Sequence, residues 1–201
     1  MKFPLLKIRS RQFIELIEEA QFTHGSGESL SPEEGMEEAF RLLGKARDGR
    51  RSVYVIGNGG SSAIASHAIT DFTNVAGIRA KTLHESSLMT CMANDYGYEN
   101  GFARILGTHA LEGDLLIAIS SSGRSKNILN AVGAMKEAGG LVFTLSGFSR
   151  DNALRKTGDL NLWLDSHDYG LVEIAHLFIL HNLADRFGAL KQESLENNAK
   201  R

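Results

Sequence analysis

Short apolar runs alternate with longer segments of helical spacing along most of the chain. From Arg51 onward, five runs are predicted to be strands, and they span 52–57, 80–84, 115–120, 141–146 and 160–165. Most are aliphatic or β-branched on both faces, which is typical of strands covered by helices on both sides. Because helical segments separate the runs, right-handed crossovers between parallel strands are expected. The pattern predicts an α/β fold with a doubly wound parallel five-stranded sheet in three layers, with the flavodoxin-like order 2-1-3-4-5.

Two amphipathic helices are predicted ahead of this sheet. Residues 8–24 and 32–48 both place apolar side chains at helical spacing. In the break between them, Ser31 is positioned to cap the second helix, with Pro32 at its first position and Glu34 completing a capping box. The second helix should therefore begin at Pro32.

Length and composition favour one ordered domain over residues 1–201. We expect N-terminal helices in 1–49, an α/β core in 50–188 and a frayed polar tail in 189–201. The composition is 42% apolar and 23% charged, as in ordered globular proteins. A formal net charge of -2 argues against a nucleic-acid binder, which needs a basic surface. Any anion site must therefore be local.

The cysteine content and the apolar segments bear on the compartment. A single cysteine, Cys91, excludes an internal disulfide and is expected in a reducing compartment. The N-terminal segment has no apolar core of a signal peptide, and no run approaches the roughly 20 apolar residues that span a bilayer. The sequence thus predicts a soluble cytoplasmic protein without membrane contact.

Two polar turns follow the first and third predicted strands. Residues 57–62, the glycine turn, read GNGGSS, and residues 120–125, the serine turn, read SSSGRS. Each precedes a helix, whose N-terminal amides and dipole favour an anion. Taken alone, the first could be an ordinary strand-to-helix turn, and a helix cap accounts for one or two of the serines. In the predicted strand order both turns open onto one crevice, which predicts a site for a small phosphorylated ligand.

Acid–base and metal-ligating residues lie on two predicted helices. His67 and Asp71 are four residues apart on one helix face, above the predicted crevice. Glu173, His176 and His181 interrupt the apolar last helix, and Glu173 and His176 have the i, i+3 spacing of metal ligands in helix bundles. Glu173 and His181 are about 12 Å apart along a helix axis. If both serve one ion, they come from different chains.

These motifs together resemble a known family. The chain contains GNGGS, a His nine residues after its Asn, CxxNDxG, ISxSGxS and H-x4-H; the motif positions are Asn58, His67, 91–97, 119–125, His176 and His181. Over about residues 50–187 the sequence resembles the phosphoheptose isomerases of the sugar-isomerase (SIS) superfamily. The resemblance implies a homotetramer with active sites at subunit interfaces. It also implies conversion of sedoheptulose 7-phosphate to D-glycero-D-manno-heptose 7-phosphate, which supplies heptose for lipopolysaccharide or capsule.

The resemblance also implies residue roles. Asp71 and His181 would transfer protons. One Zn²⁺ per site would be held by His67, Asp71, Glu173 and His181. The phosphate and the sugar would be bound by Asn58, Gly59, Gly60, Ser61, Asp95, Ser120, Ser121, Ser122, Ser125, Asp168 and Glu173.

Two positions depart from the family pattern, and they leave alternatives open. Family members usually carry Glu where this chain has Asp71, and Gln where it has Glu173. The shorter side chain withdraws its carboxylate by about 1.5 Å, and misplacement of about 1 Å can lower a rate roughly 100-fold. The alternatives are another SIS phosphosugar isomerase and a non-catalytic phosphosugar-binding regulator, such as relatives that associate with the replication initiator. The retained His67 and His181 favour an enzyme.

Overall fold

A computed structural model describes residues 4–199. Its helices and strands, in chain order, are α1 (Leu6–Glu18), β1 (Gln21–His24), β2 (Ser29–Leu30), α2 (Pro32–Asp48), β3 (Ser52–Ile56), α3 (Gly60–Asn74), β4 (Arg79–Lys81), α4 (Ser86–Tyr96), α5 (Gly101–His109), β5 (Leu115–Ser120), α6 (Lys126–Glu137), β6 (Leu141–Ser146), β7 (Leu160–Trp163) and α7 (Tyr169–Ala199). Short 3₁₀ turns lie at Tyr98–Asn100 and Leu154–Lys156.

The sheet confirms the predicted strand order and extends it at one edge. The order is β2-β1-β7-β6-β5-β3-β4, and the five strands from β7 to β4 pair in parallel. These five form the order 2-1-3-4-5 expected from the sequence. The hairpin β1–β2 adds two antiparallel strands beside β7.

That hairpin corrects the prediction of a helix over residues 8–24. The helix α1 ends at Glu18, and Gln21–His24 form β1. Phe22 is buried against the sheet, whereas its neighbours Gln21 and Thr23 are partly exposed. With one buried position among four residues, the pattern is too short to separate a strand from a helix by sequence alone.

Helices cover both faces of the sheet, as three layers require. Along β3 and β5 the buried side chains alternate between two apolar clusters. Val53 and Ile117 pack with α1, α2, α3 and α7, while Tyr54 and Leu116 pack with α5 and α6. The strands position the turns that follow them because both of their faces are fixed by packing.

The helix ends agree with the capping prediction and revise the tail. At the start of α2 the Ser31 hydroxyl accepts from the Glu34 N–H at 3.4 Å, and Glu34 Oε2 accepts from the Ser31 N–H at 2.8 Å. The segment predicted as a frayed tail after residue 188 is helical as far as Ala199, and residues 200–201 lie outside the described part. Among the described helices, none combines the length and the apolar character that a membrane span needs.

Candidate active site

The glycine turn and the serine turn meet at one cleft. They follow β3 and β5, which are neighbours in the sheet with Val53 opposite Leu115, so their carboxyl ends lie side by side. The cleft has a volume of about 240 Å³. Its lining comes from the two turns and from the start of α7, and consists of Asn58, Gly59, Gly60, Ser61, Ile119, Ser120, Ser121, Ser122, Ser125, Tyr169 and Glu173. The crevice predicted from the two motifs is therefore present.

The serine turn presents hydroxyl groups to this cleft. Ser120 Oγ donates to Ser125 Oγ at 3.3 Å, and the Arg124 N–H donates to Ser122 Oγ at 3.4 Å. Within residues 4–199 the buried Ser121 hydroxyl has no hydrogen-bond partner. A buried polar group without a partner is costly, and an anion in the cleft would supply an acceptor. The N-terminal end of α6 also lies here, where the helix dipole favours negative charge.

The backbone of the two turns depends on glycine at two positions. Gly59 has φ +54° and ψ -122° and precedes the first turn of α3. Gly123 has φ +61°, and a Cβ at this position would clash with the Asn152 side chain. L-residues with side chains rarely adopt such φ values, so these glycines allow the chain to turn sharply and expose its polar groups.

A hydrogen-bonded amide pair holds the glycine turn against α6. Asn58 Nδ2 donates to Asn127 Oδ1 at 2.9 Å, and Asn127 Nδ2 donates to Asn58 Oδ1 at 2.8 Å. The Tyr98 hydroxyl also donates to Asn58 Oδ1, at 2.8 Å. Asn58 therefore fixes the turn, and one of its amide N–H groups is left to meet a ligand.

Glu173 reaches the cleft from α7. Its carboxylate packs so closely against Gly60 that a Cβ on that glycine would clash with it. A carboxylate at the N-terminus of α3 is favoured by the helix dipole. The same carboxylate places a negative charge in a cleft otherwise suited to a phosphate.

A second cluster joins α3 to α7. His181 Nδ1 lies 2.7 Å from Asp71 Oδ2, and His67 Nε2 lies 3.1 Å from the same oxygen. The hydrogen bond to Asp71 raises the pKa of His181. The Asp71 side chain is 17% exposed, whereas both histidines are about half exposed. The cluster thus has a partly buried carboxylate and two imidazoles that solvent or a partner can reach.

The cluster has the composition of a metal site. The donor atoms of His67, Asp71 and His181 all lie within 4.8 Å of one another. Tetrahedral Zn²⁺ with bonds of about 2.1 Å separates its ligand atoms by about 3.4 Å, so the contacts of 2.7 and 3.1 Å with Asp71 Oδ2 would lengthen slightly around an ion. Two imidazoles and one carboxylate fit zinc and leave a fourth position open. Glu173, the fourth predicted ligand, instead lines the cleft.

The cluster and the cleft are separate within one chain. Asp71 follows Ser61 by ten residues of α3, a distance of about 15 Å along the axis. His67, Asp71 and His181 do not line the cleft. The sequence placed His67 and Asp71 above the crevice, and the structure shows them further along the helix.

Two predicted sugar ligands also lie outside the cleft of the same chain. Asp168 forms two hydrogen bonds with Arg9, at 2.7 and 2.9 Å, and its Oδ1 accepts from the Leu171 N–H at the start of α7. The Arg9 guanidinium lowers the pKa of Asp168 to about 2. Asp95 is exposed on α4, where Asn94 Nδ2 donates to it at 2.9 Å.

His176 belongs to the core. It is fully buried, its Nε2 lies 3.3 Å from the Ser146 carbonyl oxygen, and its Nδ1 has no partner among the described residues. Burial lowers the pKa of His176 to about 4. It is thus a neutral packed residue, and it shares no contact with Glu173 of the kind that a metal pair would need.

His84 is one of the residues at the site that were not predicted from the sequence. His84 follows β4, and its ring lies against the glycine turn, with Nε2 accepting from the Gly57 N–H at 3.4 Å and Nδ1 3.0 Å from Ser62 Oγ. Burial lowers the pKa of His84, which favours the neutral ring needed for this acceptor role. The sequence indicated this contact only through the position of His84 after β4, the predicted neighbour of β3.

Comparison with known proteins identifies the family. The sequence profile of the SIS domain matches residues 28–147. A phosphoheptose isomerase of Campylobacter concisus is 35% identical over 156 residues, which cover 74% of this chain and 81% of that protein. The solved phosphoheptose isomerase of Francisella tularensis has a TM-score of 0.71 at 26% identity, covering 78% of this chain and 86% of its own. That of Neisseria gonorrhoeae has a TM-score of 0.72 at 24% identity, with 90% and 91% covered. The chain belongs to the SIS-domain family and, within it, to the phosphoheptose isomerases.

Proposed function

We propose that this protein isomerises sedoheptulose 7-phosphate to D-glycero-D-manno-heptose 7-phosphate. One observation carries the proposal: the glycine turn and the serine turn line a single small cleft that contains an unpartnered buried hydroxyl. The relatives are named phosphoheptose isomerases, which points to a seven-carbon sugar phosphate. The product would serve as a heptose precursor for lipopolysaccharide or capsule, and the free Cys91 thiol fits a cytoplasmic enzyme.

The phosphate would bind at the serine turn. Hydroxyls of Ser120, Ser121, Ser122 and Ser125 surround the cleft, and the N-terminus of α6 adds a favourable dipole. A phosphate held by hydroxyls and backbone amides needs no lysine, which suits a chain with a net charge of -2. The rest of the sugar would then extend out of the cleft past Tyr169.

The complete active site would form between two copies of the chain. His181 lies on the same face of α7 as Ile174 and Phe178, which are 57% and 47% exposed. Exposed apolar side chains beside polar functional groups are typical of interfaces. We infer that this face packs on another subunit and brings the His67–Asp71–His181 cluster to the partner's cleft, within a homotetramer. Asp95 and Asp168 would bind sugar hydroxyls in that assembled site.

Proton transfer between C1 and C2 would use the cluster. Asp71 removes a proton from C1 of the ketose, which gives an enediolate with its charge on O2. A proton then moves from O1 to O2, and a proton is returned to C2 as the C1 carbonyl forms. His181, hydrogen-bonded to Asp71, is the partner acid for the oxygen atoms. Glu173 is the second candidate base because its carboxylate already lies in the cleft.

A zinc ion would be held by His67, Asp71 and His181, with Glu173 of another subunit as the fourth ligand. When bound, such an ion polarises carbonyl or hydroxyl oxygens as a Lewis acid. The contacts of Asp71 Oδ2 with both imidazoles bring the three groups together, and an ion bound by the same atoms would replace these hydrogen bonds.

The test is direct turnover. Purified protein is incubated with sedoheptulose 7-phosphate, with and without added zinc, and heptose 7-phosphate is followed. We expect product, and an Asp71→Asn variant should lose at least about 100-fold in rate, as is typical when a general base is removed. Absence of turnover under both conditions would reject the proposal. A panel of phosphosugars of other chain lengths then separates a related isomerase from a regulator that binds sugar phosphate without turnover.

A further inference from the structure

A second cavity lies at the β1–β2 edge of the sheet. It has a volume of about 620 Å³ and shares no lining residue with the serine-turn cleft. One wall is the glycine-containing hairpin turn His24–Gly27, and the other is the segment after β6 that carries Arg150, Arg155 and Lys156. We call it the basic cavity.

Positive charge is concentrated there. Three cations and one carboxylate, Asp151, line the cavity, which leaves two net positive charges in a chain whose overall charge is -2. Among the ion pairs of residues 4–199, none involves Arg150, Arg155 or Lys156. The carboxylate of Asp151 lies 3.9 Å from the guanidinium of Arg124, a residue that does not line the cavity. The cavity therefore keeps a net positive charge, although Asp151 lines it and the Asp165 carboxylate acts on Arg155.

Arg155 is held in place for this role. Its guanidinium lies 4.2 Å from the centre of the Trp163 ring, and its Nη1 and Nη2 donate to the Arg150 carbonyl and to Gln21 Oε1. Burial and the nearby charge of Arg150 lower the pKa of Arg155. Binding an anion would relieve that repulsion. A guanidinium fixed by stacking and hydrogen bonds loses little conformational entropy when a ligand binds.

We propose that the basic cavity is a second anion site, which binds a phosphorylated small molecule. Guanidinium and ammonium groups are the common phosphate ligands of proteins, and the Ser26 hydroxyl and the neighbouring glycine backbone lie on the opposite wall. A volume of this size accommodates more than a free phosphate and is in the range of small-molecule sites. The ligand class is a phosphate ester between a sugar phosphate and a nucleotide in size.

The segment that carries these cations also contacts the serine turn. The Leu154 N–H donates to the Gly123 carbonyl at 3.0 Å, and the buried Asn152 side chain packs against Gly123. Asn152 Oδ1 in turn accepts from the Arg155 N–H at 3.0 Å. A ligand that restrains Arg155 therefore also restrains the turn proposed to bind the substrate phosphate. Occupancy of the basic cavity should change affinity at the cleft.

The test uses charge-removing variants on the full chain. Arg150→Gln/Lys156→Gln removes two cavity cations on exposed side chains, while Lys45→Gln/Lys136→Gln removes two exposed charges from α2 and α6 as a matched control. Inorganic phosphate and ADP are titrated calorimetrically into both. We expect two phosphate sites per chain in the wild type and the control. The Arg150→Gln/Lys156→Gln variant should keep the serine-turn site. Its affinity for phosphate at the basic cavity should fall at least about tenfold, as expected when charged hydrogen bonds are removed.

Localisation completes the test. A crystal soaked with tungstate, a heavy phosphate mimic, should show anomalous density between Arg150 and Lys156. Equal phosphate and ADP binding by the two double variants, or no tungstate in the cavity, would overturn the proposal. Because binding is the readout, the result is independent of isomerase activity. A Ser122→Ala/Ser125→Ala variant, which should lose only the other site, distinguishes failure of the proposed function from failure of this one.

Discussion

The Glu173 carboxylate is an unusual neighbour for a phosphate. It lines the same cleft as the serine hydroxyls and packs against Gly60 at the start of α3. The α3 dipole offsets part of its charge, but a dianion entering the cleft still meets a like charge. We interpret the Glu173 carboxylate as a group that lowers the affinity for phosphate and serves as a base or metal ligand.

Glu173→Gln should therefore bind phosphate more tightly. Repulsion between two like charges opposes binding by about 1 kcal/mol even at the dielectric constant of bulk water. Removing the charge of Glu173 should therefore lower the Kd for inorganic phosphate roughly fivefold. Titration calorimetry measures it, with Glu137→Gln, an exposed change on α6, as the control. A Kd that is unchanged or higher would show that Glu173 does not face the bound phosphate. If Glu173 is the base, kcat falls in the same variant.

His176 makes stability depend on pH. Its pKa is about 4 in the folded chain, because the ring is fully buried, and about 6.5 when unfolded. Between these two pH values the unfolded chain is protonated at His176 and the folded chain is not. The contribution of the neutral ring to the free energy of unfolding is therefore complete above pH 6.5 and is lost progressively as the pH falls to about 4. Its size is up to about 3 kcal/mol.

His176→Leu should remove that dependence. Urea unfolding at pH 7 and pH 4.5 gives the free energy of unfolding, and the wild type should lose more stability than the variant over this interval. His109→Gln, on an exposed histidine of α5, is the control and should behave as the wild type. Equal pH dependence in His176→Leu and the wild type would contradict the burial of a neutral imidazole.

At the scale of single elements, the turns are set by glycine geometry. Gly123→Ala places a Cβ at φ +61° and against Asn152, so we expect a loss of about 1–3 kcal/mol in stability and weaker phosphate binding. Gly133→Ala is the matched control, since its Cβ would meet open space within α6 and alanine is the better helix former. Thermal unfolding and phosphate titration check both. A Gly123→Ala protein as stable as the control would contradict a required left-handed turn.

Sequence periodicity predicted some elements closely and others not. The strands 115–120 and 141–146 and the helix from Pro32 match the structure, because long apolar runs and a capping box leave few alternatives. Local pattern failed for Gln21–His24, whose strand conformation depends on pairing with the distant β7. The spacing of apolar residues within a short segment does not show which distant strand the segment pairs with.

The candidate site shows the same division. The serine and glycine turns were placed correctly because strand order fixes which turns are neighbours. The separation of Asp71 from the cleft follows from ten residues of helical rise along α3, so residue spacing contained it. The contact between His84 and the glycine turn depends on tertiary packing, which motif spacing could not supply.

At the scale of the whole molecule, the separation of cleft and cluster has a consequence. On the proposed function, the phosphate binds at one end of α3 and Asp71 lies about 15 Å away along that helix, so a second copy would be needed to bring both to one sugar. The exposed Ile174 and Phe178 beside His181 would then form the apolar surface of that contact. Enzyme activity should then be a property of the oligomer.

Complementation between two inactive variants tests this central claim most directly. One variant carries Ser122→Ala/Ser125→Ala in the serine turn, the other carries Asp71→Asn, and differently tagged copies are co-expressed so that tandem affinity purification isolates hybrids. A hybrid pairs an intact turn from one chain with an intact cluster from the other. In a freely mixed population about a quarter of the sites should be intact, by two-fold symmetry. We predict that the hybrids recover isomerase activity on sedoheptulose 7-phosphate, whereas each variant alone has almost none. Hybrids no more active than the separate variants, beside an active wild type, would contradict an active site shared between chains.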